Sequence, residues 1–420
     1  MPVQPAPLPE FLRTVRTDTR RPKEERFAGL TILQIIPALD AGGAERTTID
    51  IADALTRAGA RALVATEGGR LVGELQARGG LWIPFNASTK NPLRIWGNAR
   101  RLERLVREEK IDLIHARSRA PAWSARLATK RLNLPFVTTY HGAYSAGNAL
   151  KKRYNGVMAE ADIVIANSNF TAGSILENWP EVKERLRVIH RGTDLAAFTP
   201  AAVSFERVEA LRRAWNVAPH QRIVLLPGRL TAWKGQRVLI DAAAIVKERG
   251  IEDTVFVLAG DHQGRDSYVA DLDARIAERG LKGLVLRVGH CADMPAAYLS
   301  AAAVAIPSTS PEAFGRTAVE AQAMGCPVIV SNHGATSETV LAPPEIVGNL
   351  RTGWRTPVGD SQALAEALIE ALTLGASARD GLAARARSHV EAHFSLDVMC
   401  NATLDAYSEL LVKSRRLRPE

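Results

Sequence analysis

The chain has 420 residues, 46% hydrophobic and 24% charged, the balance of a folded protein too long for one ordinary core. A net charge of +9 and a pI near 9.7 point to an acidic partner: nucleic acid, an anionic membrane surface or a diphosphate. No apolar run is long enough to span a bilayer, and the dispersed Cys291, Cys326 and Cys400 exclude a disulfide framework or a C-x-x-C zinc site and suit a reducing cytoplasm.

Residues 1–28 are Pro-rich and basic without an apolar segment, so they read as a flexible tail and not as a signal peptide. Leu30 to Ile36 is a β-branched run ending at Pro37, the pattern of a buried parallel strand. Gly42 and Gly43 follow, then a helix over 47–55 with Ile51, Ala54 and Leu55 on one face. Strand, glycine turn and helix open a nucleotide-type α/β domain. The two glycines either admit a ligand close to the backbone or make a plain tight turn, and they are not the G-x-G-x-x-G of a dinucleotide dehydrogenase. The alternation continues with strands at 62–66 and 81–84 around a helix at 71–78. A helix over 95–109 turns Ile95, Ala99, Leu102 and Val106 inward and sets Arg100, Arg104 and Arg107 on another face. That face is either solvated or docked on anionic lipid headgroups.

Strands over 111–117 and 135–142 end in polar residues. Ligands of open α/β sheets bind at the carboxyl ends of strands, which nominates His115, Arg117 and His141, although single residues of these types also serve structural roles. The strand 161–168 is the last clear one of this half, with Ser168 or Asn169 capping the next helix. The polar, Ala-rich stretch 200–213 opens a second domain, so the first spans 29–200 and the second 201–392. In the second, the strand 222–229 runs into a turn with Arg229, Lys234 and Gly235. A forked guanidinium and a compact ammonium between strand and helix suit a diphosphate, although two basic loop residues are by default a solvent-exposed pair. Strands at 255–261 and 285–290 end in polar turns, the latter at His290. A short buried strand at 303–308 then leads to Glu312. Gly315 falls at a strand-to-helix turn, where the bare amides from Phe314 through Gly315, Arg316 and Thr317 favour an anion. Helices at 362–374 and 382–393 precede a last helix within 393–420.

Glu312-Ala313-Phe314-Gly315 and Glu320, with seven residues between the two glutamates, resemble the E-x7-E signature of retaining glycosyltransferases of family 4. Residues 41–46, 188–194, 228–235 and 323–329 match the same family in order, so the resemblance runs from about residue 30 to the C-terminus. It implies the GT-B fold, α/β with two Rossmann-like domains facing across a cleft, and a final helix (393–420) that crosses back to the first domain. A nucleoside-diphosphate sugar would lie on the second domain and a glycan or lipid-linked acceptor on the first.

The resemblance assigns His141, Arg229, Lys234 and Glu312 to the catalytic centre. It assigns Gly42, Gly43, His290, Phe314, Gly315, Arg316, Thr317 and Glu320 to the donor, with Glu312 on sugar hydroxyls and Glu320 on the ribose. His115 and Arg117 are the acceptor candidates, although many relatives have a second histidine where Arg117 stands. His190-Arg191 likewise replaces a common Pro-Asn. Arg229 and Lys234 are expected to do a metal's work, and no metal or other cofactor is expected. The expected setting is cytoplasmic lipopolysaccharide or exopolysaccharide assembly, peripheral to the inner membrane face where the basic helix engages lipid. A GT-B phosphorylase, a nucleotide-sugar epimerase, a basic nucleic-acid-binding protein and a non-catalytic sugar-nucleotide sensor are the alternatives. The sequence contains no nucleic-acid recognition motif.

Overall fold

Runs such as Ile223-Val224-Leu225-Leu226 have no polar alternation, and a strand of that kind needs cover on both faces. The computed structural model, which describes residues 26–40, 42–142 and 148–416, shows that cover. A first parallel sheet contains β1 (Thr31–Ile35), β2 (Arg61–Thr66), β3 (Leu81–Pro84), β4 (Leu113–Ala116), β5 (Phe136–Tyr140), β6 (Ile163–Ala166) and β7 (Leu186–Val188). Its order is β3-β2-β1-β4-β5-β6-β7. A second contains β8 (Arg222–Pro227), β9 (Thr254–Ala259), β10 (Val285–Gly289), β11 (Ala301–Ile306), β12 (Val328–Ser331) and β13 (Trp354–Thr356), in the order β10-β9-β8-β11-β12-β13.

The first lobe has helices α1 (Gly43–Arg57), α2 (Val72–Ala77), α3 (Pro92–Glu108), α4 (Arg119–Leu132), α5 (Ala149–Gly156) and α6 (Asn169–Asn178). The second has α7 (Phe205–Ala214), α8 (Gln236–Glu248), α9 (Asp266–Glu278), α10 (Met294–Ser300), α11 (Arg316–Ala323), α12 (Thr336–Thr339), α13 (Ser361–Leu372) and α14 (Ala376–Phe394), and α15 (Leu396–Arg416) follows. Alternate residues of a strand feed opposite cores, with Ile32 on one side of the first sheet and Leu33 and Ile35 on the other. Val224 and Leu226 divide from Ile223 and Leu225 in the same way.

Both sheets reverse direction of growth once, between β1 and β4 and between β8 and β11. Such switch points open crevices at the strand carboxyl ends. Gly42–Gly43 follows β1, Arg117 follows β4, Gly228-Arg229 follows β8, and the segment 307–315 follows β11. The backbone at Gly42–Gly43, Arg117, Gly228-Arg229 and 307–315 therefore lies at the strand ends bordering the two crevices.

Helix α15 returns to the first sheet. Met399, Leu404, Tyr407, Leu410 and Leu411 are buried in one core with Ile51 and Leu55 of α1. At about 1.5–3 kcal/mol for each large apolar side chain, the helix is firmly held. Phe27 is 1% exposed in that core, and its N–H donates to the Ala58 carbonyl at 2.9 Å. The tail read over 1–28 therefore stops short of Phe27, because an aromatic ring at the base of α1 has apolar surface to cover. Residues 1–25 and 417–420 lie outside the described residues, as does Ala41 of the glycine turn.

Candidate functional site

The segment after β11 is fixed by backbone contacts before any side chain matters. Glu312 pairs with Gly334 as an isolated bridge, and the Ala335 N–H donates to the Glu312 carbonyl at 2.8 Å. Gly334 has φ 74°, and a side chain there would begin 2.4 Å from the Glu312 carbonyl oxygen. So anchored, the Glu312 carboxylate is 9% exposed, and its Oε1 accepts from Ser308 Oγ and from Lys234 Nζ, each at 2.7 Å. Lys234 also lies over the Trp233 ring, 4.4 Å from its centre. The next residue, Gly235, passes beneath Pro307 so closely that a side chain would begin 1.8 Å from the Pro307 carbonyl oxygen. Gly228 rests on the Lys234 stem, and Arg229 beside it is exposed with no side-chain partner among the described residues. Two motifs 78 residues apart thus meet at the carboxyl ends of β8 and β11.

Gly315, at φ 86°, is the N-cap of α11, whose first turn carries the half-buried Arg316 and Thr317. Glu320 follows one turn later, 9% exposed, accepting from the Tyr298 hydroxyl at 3.0 Å. Arg316 Nε lies 3.0 Å from its other oxygen, an ion pair whose N–H is not aligned on that oxygen. Burial pushes the Glu320 carboxyl up, against the pull of Arg316 and Tyr298. Arg316 also pulls on Asp50 of α1, whose carboxyl burial nevertheless raises to about 6. The Phe314 side chain is turned away from the crevice. It packs with Val319, Ala323, Val390 and Phe394, because its ring completes a small core between α11 and α14 and only its backbone is left for a ligand. His290 is exposed beyond β10, after Gly289 at φ 72°.

On the first lobe, α1 begins at Gly43, and the space at Gly43 is filled by arginines. A side chain there would begin 2.5 Å from Arg191 Nη1 and 3.7 Å from Arg316 Nη1. Arg191 Nη2 lies 3.2 Å from His141 Nδ1. Burial first, then Arg191 and Arg117, push the His141 ring well below the ordinary histidine range, so it is neutral.

The two acceptor candidates do not line the crevice. His115 is fully buried, with Nδ1 on the Tyr407 hydroxyl at 2.5 Å and Nε2 on Thr139 Oγ1 at 2.7 Å. Both ring nitrogens are engaged, which leaves none for an acceptor. Arg117 is 2% exposed because it folds beneath β1, where its Nε donates to Gln34 Oε1 at 2.6 Å. A groove of about 490 Å³ does open on this lobe, at the carboxyl ends of β2 and β3, between Glu67, Phe85, Ser88, Arg94 and Arg101. Its loop residues carry no motif that would mark the groove in the sequence.

The lobes touch at the same place. Ser168 Oγ donates to the Ala313 carbonyl at 2.6 Å. Glu338 accepts from the Asn169 and Phe170 amides at 2.7 and 2.8 Å, which are free at the start of α6, and pairs with His190 Nε2 at 2.8 Å. Burial works against its charge, but His190 and the two amides outweigh that and hold the Glu338 carboxyl below its usual range. Tyr298, Ser308 and Glu338 were not nominated from sequence, and His190-Arg191 stood out only as a departure from the family's Pro-Asn. Of the first three, Ser308, one residue past a strand-ending proline, had a positional signal.

The chain matches the model of Glycosyltransferase Family 4 over residues 41–197 and that of Glycosyl transferases group 1 over residues 207–389. It is 31% identical over 326 residues to a D-inositol 3-phosphate glycosyltransferase of Salinispora tropica, covering 72% of this chain and 65% of that protein, just under two thirds of its length. A solved glycosyltransferase from Rickettsia africae superposes with a TM-score of 0.83 at 35% identity, over 91% of this chain and 98% of that one. Anabaena Alr3699/HepE in complex with UDP and glucose gives 0.77 at 26% identity, over 90% and 100%.

Proposed function

Because the chain belongs to glycosyltransferase family 4 and has its GT-B fold, we propose that it draws a sugar from a nucleoside-diphosphate donor on the second lobe and passes it to a glycan or lipid-linked acceptor on the first. The observation that carries this reading is the Lys234–Glu312–Ser308 cluster at the switch point of the second sheet. An ammonium has three protons, and Glu312 takes one, so two remain for phosphate oxygens. Glu312 Oε2 accepts nothing among the described residues and suits a sugar hydroxyl.

As the glycosyl–phosphate bond breaks, negative charge grows on the leaving diphosphate. Lys234, Arg229 and the leading amides of α11 stabilise it in place of a metal or other cofactor. Transfer proceeds with retention at the anomeric carbon, the leaving phosphate taking the acceptor's proton on the same face. Glu320 serves the ribose and His290 the edge of the base. Structures of Anabaena Alr3699/HepE hold UDP with glucose, or UDP-glucose, which favours a UDP-sugar as the first donor to try. The acceptor lies along the first lobe toward the groove at Ser88, Arg94 and Arg101. Beside that groove, exposed Leu93 and Trp96 and the basic face of α3 hold the enzyme on the cytoplasmic side of an anionic membrane, within reach of lipid-linked intermediates of lipopolysaccharide or exopolysaccharide assembly.

The test is to follow nucleoside-diphosphate release from UDP-, GDP- and ADP-sugars, with and without acceptors that include inositol phosphates and lipid-linked glycans. Turnover of one nucleotide series into a product of unchanged anomeric configuration is expected. No release from any donor, or an epimerised donor or sugar phosphate as the sole product, would remove the reading.

A further inference from the structure

Beyond the expected site residues, the loop after β7 places an arginine on His141. That loop is pinned at both ends. His190 is tied to Glu338 of the second lobe at 2.8 Å. On the other side the Thr193 N–H donates to the Phe394 carbonyl at 2.7 Å, and the Leu396 N–H donates back to the Thr193 carbonyl at 3.1 Å. Gly192 lies flat against the start of α15, where a side chain would begin 2.7 Å from the Leu396 backbone. Arg191 sits between these anchors, so its backbone position is fixed by its neighbours.

From there Nη2 reaches His141 Nδ1 at 3.2 Å and the His141 carbonyl oxygen at 3.4 Å, while Nη1 fills the space beside Gly43. A guanidinium has donors only and keeps its charge at any pH the enzyme meets. An Arg191 N–H facing Nδ1 therefore requires the lone pair of His141 there. A neutral imidazole with Nδ1 unprotonated has its proton on Nε2. That Nε2 is enclosed and meets no acceptor among the described residues. An unpartnered buried donor is destabilising, and a ligand oxygen at this position would remove that cost. The next residue, Gly142, borders Ala313 of the Glu312 loop, where a side chain on Gly142 would begin 4.0 Å from the Ala313 Cβ.

We propose that Arg191 is a positioning residue that holds His141 with its proton on Nε2, so that His141 meets the substrate as a hydrogen-bond donor to a sugar or phosphate oxygen and not as a proton acceptor. This rests on the transfer-site reading of the crevice. The titratable and charged groups facing the ring are Arg191, Arg117 and His115, from the loop after β7, the end of β4 and β4 itself. The two arginines add to burial in keeping it neutral.

The tautomer is read directly from nitrogen–proton correlation spectra of the full chain labelled with ¹⁵N-histidine, with His141→Asn supplying the assignment. Nδ1 of the pyridine type and Nε2 of the pyrrole type are expected in the wild type. In Arg191→Asn the two tautomers should mix and the ring should titrate at higher pH than in the wild type. The acid limb of kcat/KM should move up with it, and Arg191→Lys should restore both tautomer and profile. A pyridine-type Nε2 in the wild type, or an Arg191→Asn variant with unchanged tautomer and pH profile, overturns the proposal. The ring measurement needs no turnover, so a chain that releases no nucleoside diphosphate would refute the transferase reading while the spectra still decide this one.

Discussion

Lys234 gives one proton to Glu312 and has two left, and this unequal sharing decides what its removal does. Lys234→Ala deletes a preorganised stabiliser of the departing diphosphate, so the transfer rate in single turnover should fall by about 10²–10³-fold. Arg229→Ala should fall in the same range, while a loss of under tenfold in either variant would take that side chain out of the chemistry. The Lys234 variant also leaves Glu312 buried with only Ser308 as a side-chain donor among the described residues, so it should unfold more easily than the Arg229 variant, whose side chain is exposed. Both residues were legible in the sequence because each motif is local: a glycine turn, two cations and a helix start within eight positions of one another. His115 and Arg117 were legible only as far as their place at the end of β4. Where their side chains point was settled by Tyr407, 292 positions from His115, and by Gln34 on the neighbouring strand.

Among the elements, α15 exerts that influence over the greatest distance along the chain. Its Tyr407 is fully buried and meets His115 edge to face as well as through its hydroxyl. Tyr407→Phe keeps the ring contact and strips a partner from His115 Nδ1, so urea unfolding should show a loss of about 1–3 kcal/mol. No loss would mean that the hydroxyl is dispensable. Helices such as α3 were readable because Ile95, Ala99, Leu102 and Val106 recur at helical spacing, and all four are buried. Helix α1 begins at Gly43, earlier than the apolar spacing suggested, since Glu45 and Arg46 occupy its first turn and polar residues there give no periodic signal.

Over the whole molecule, both sheets were foreseeable from unbroken apolar strands that alternate with helices, whereas the contacts that bring the lobes together were not. Ser168 reaches Ala313, and Glu338 receives the start of α6, across separations of 145 residues or more. Pairings at that range leave no local pattern. The outward face of α3 makes a prediction at this scale, since Arg100, Arg104 and Arg107 are exposed and Arg100 lies over the Trp96 ring at 4.4 Å. Replacing the three arginines with glutamate should abolish most co-sedimentation with phosphatidylglycerol vesicles and leave the melting temperature nearly unchanged. Equal binding before and after would discard a membrane role for that face. The described helices include none long and apolar enough to cross a bilayer, so such binding would be at the surface.

The return of α15 also sets a timetable for biosynthesis. A ribosome has already delivered the entire β8–β13 sheet before Met399, Tyr407 and Leu411 emerge to cover α1. Until then the nascent first half exposes the greasy flank of α1, and it needs either a chaperone or a provisional collapse to stay out of aggregates.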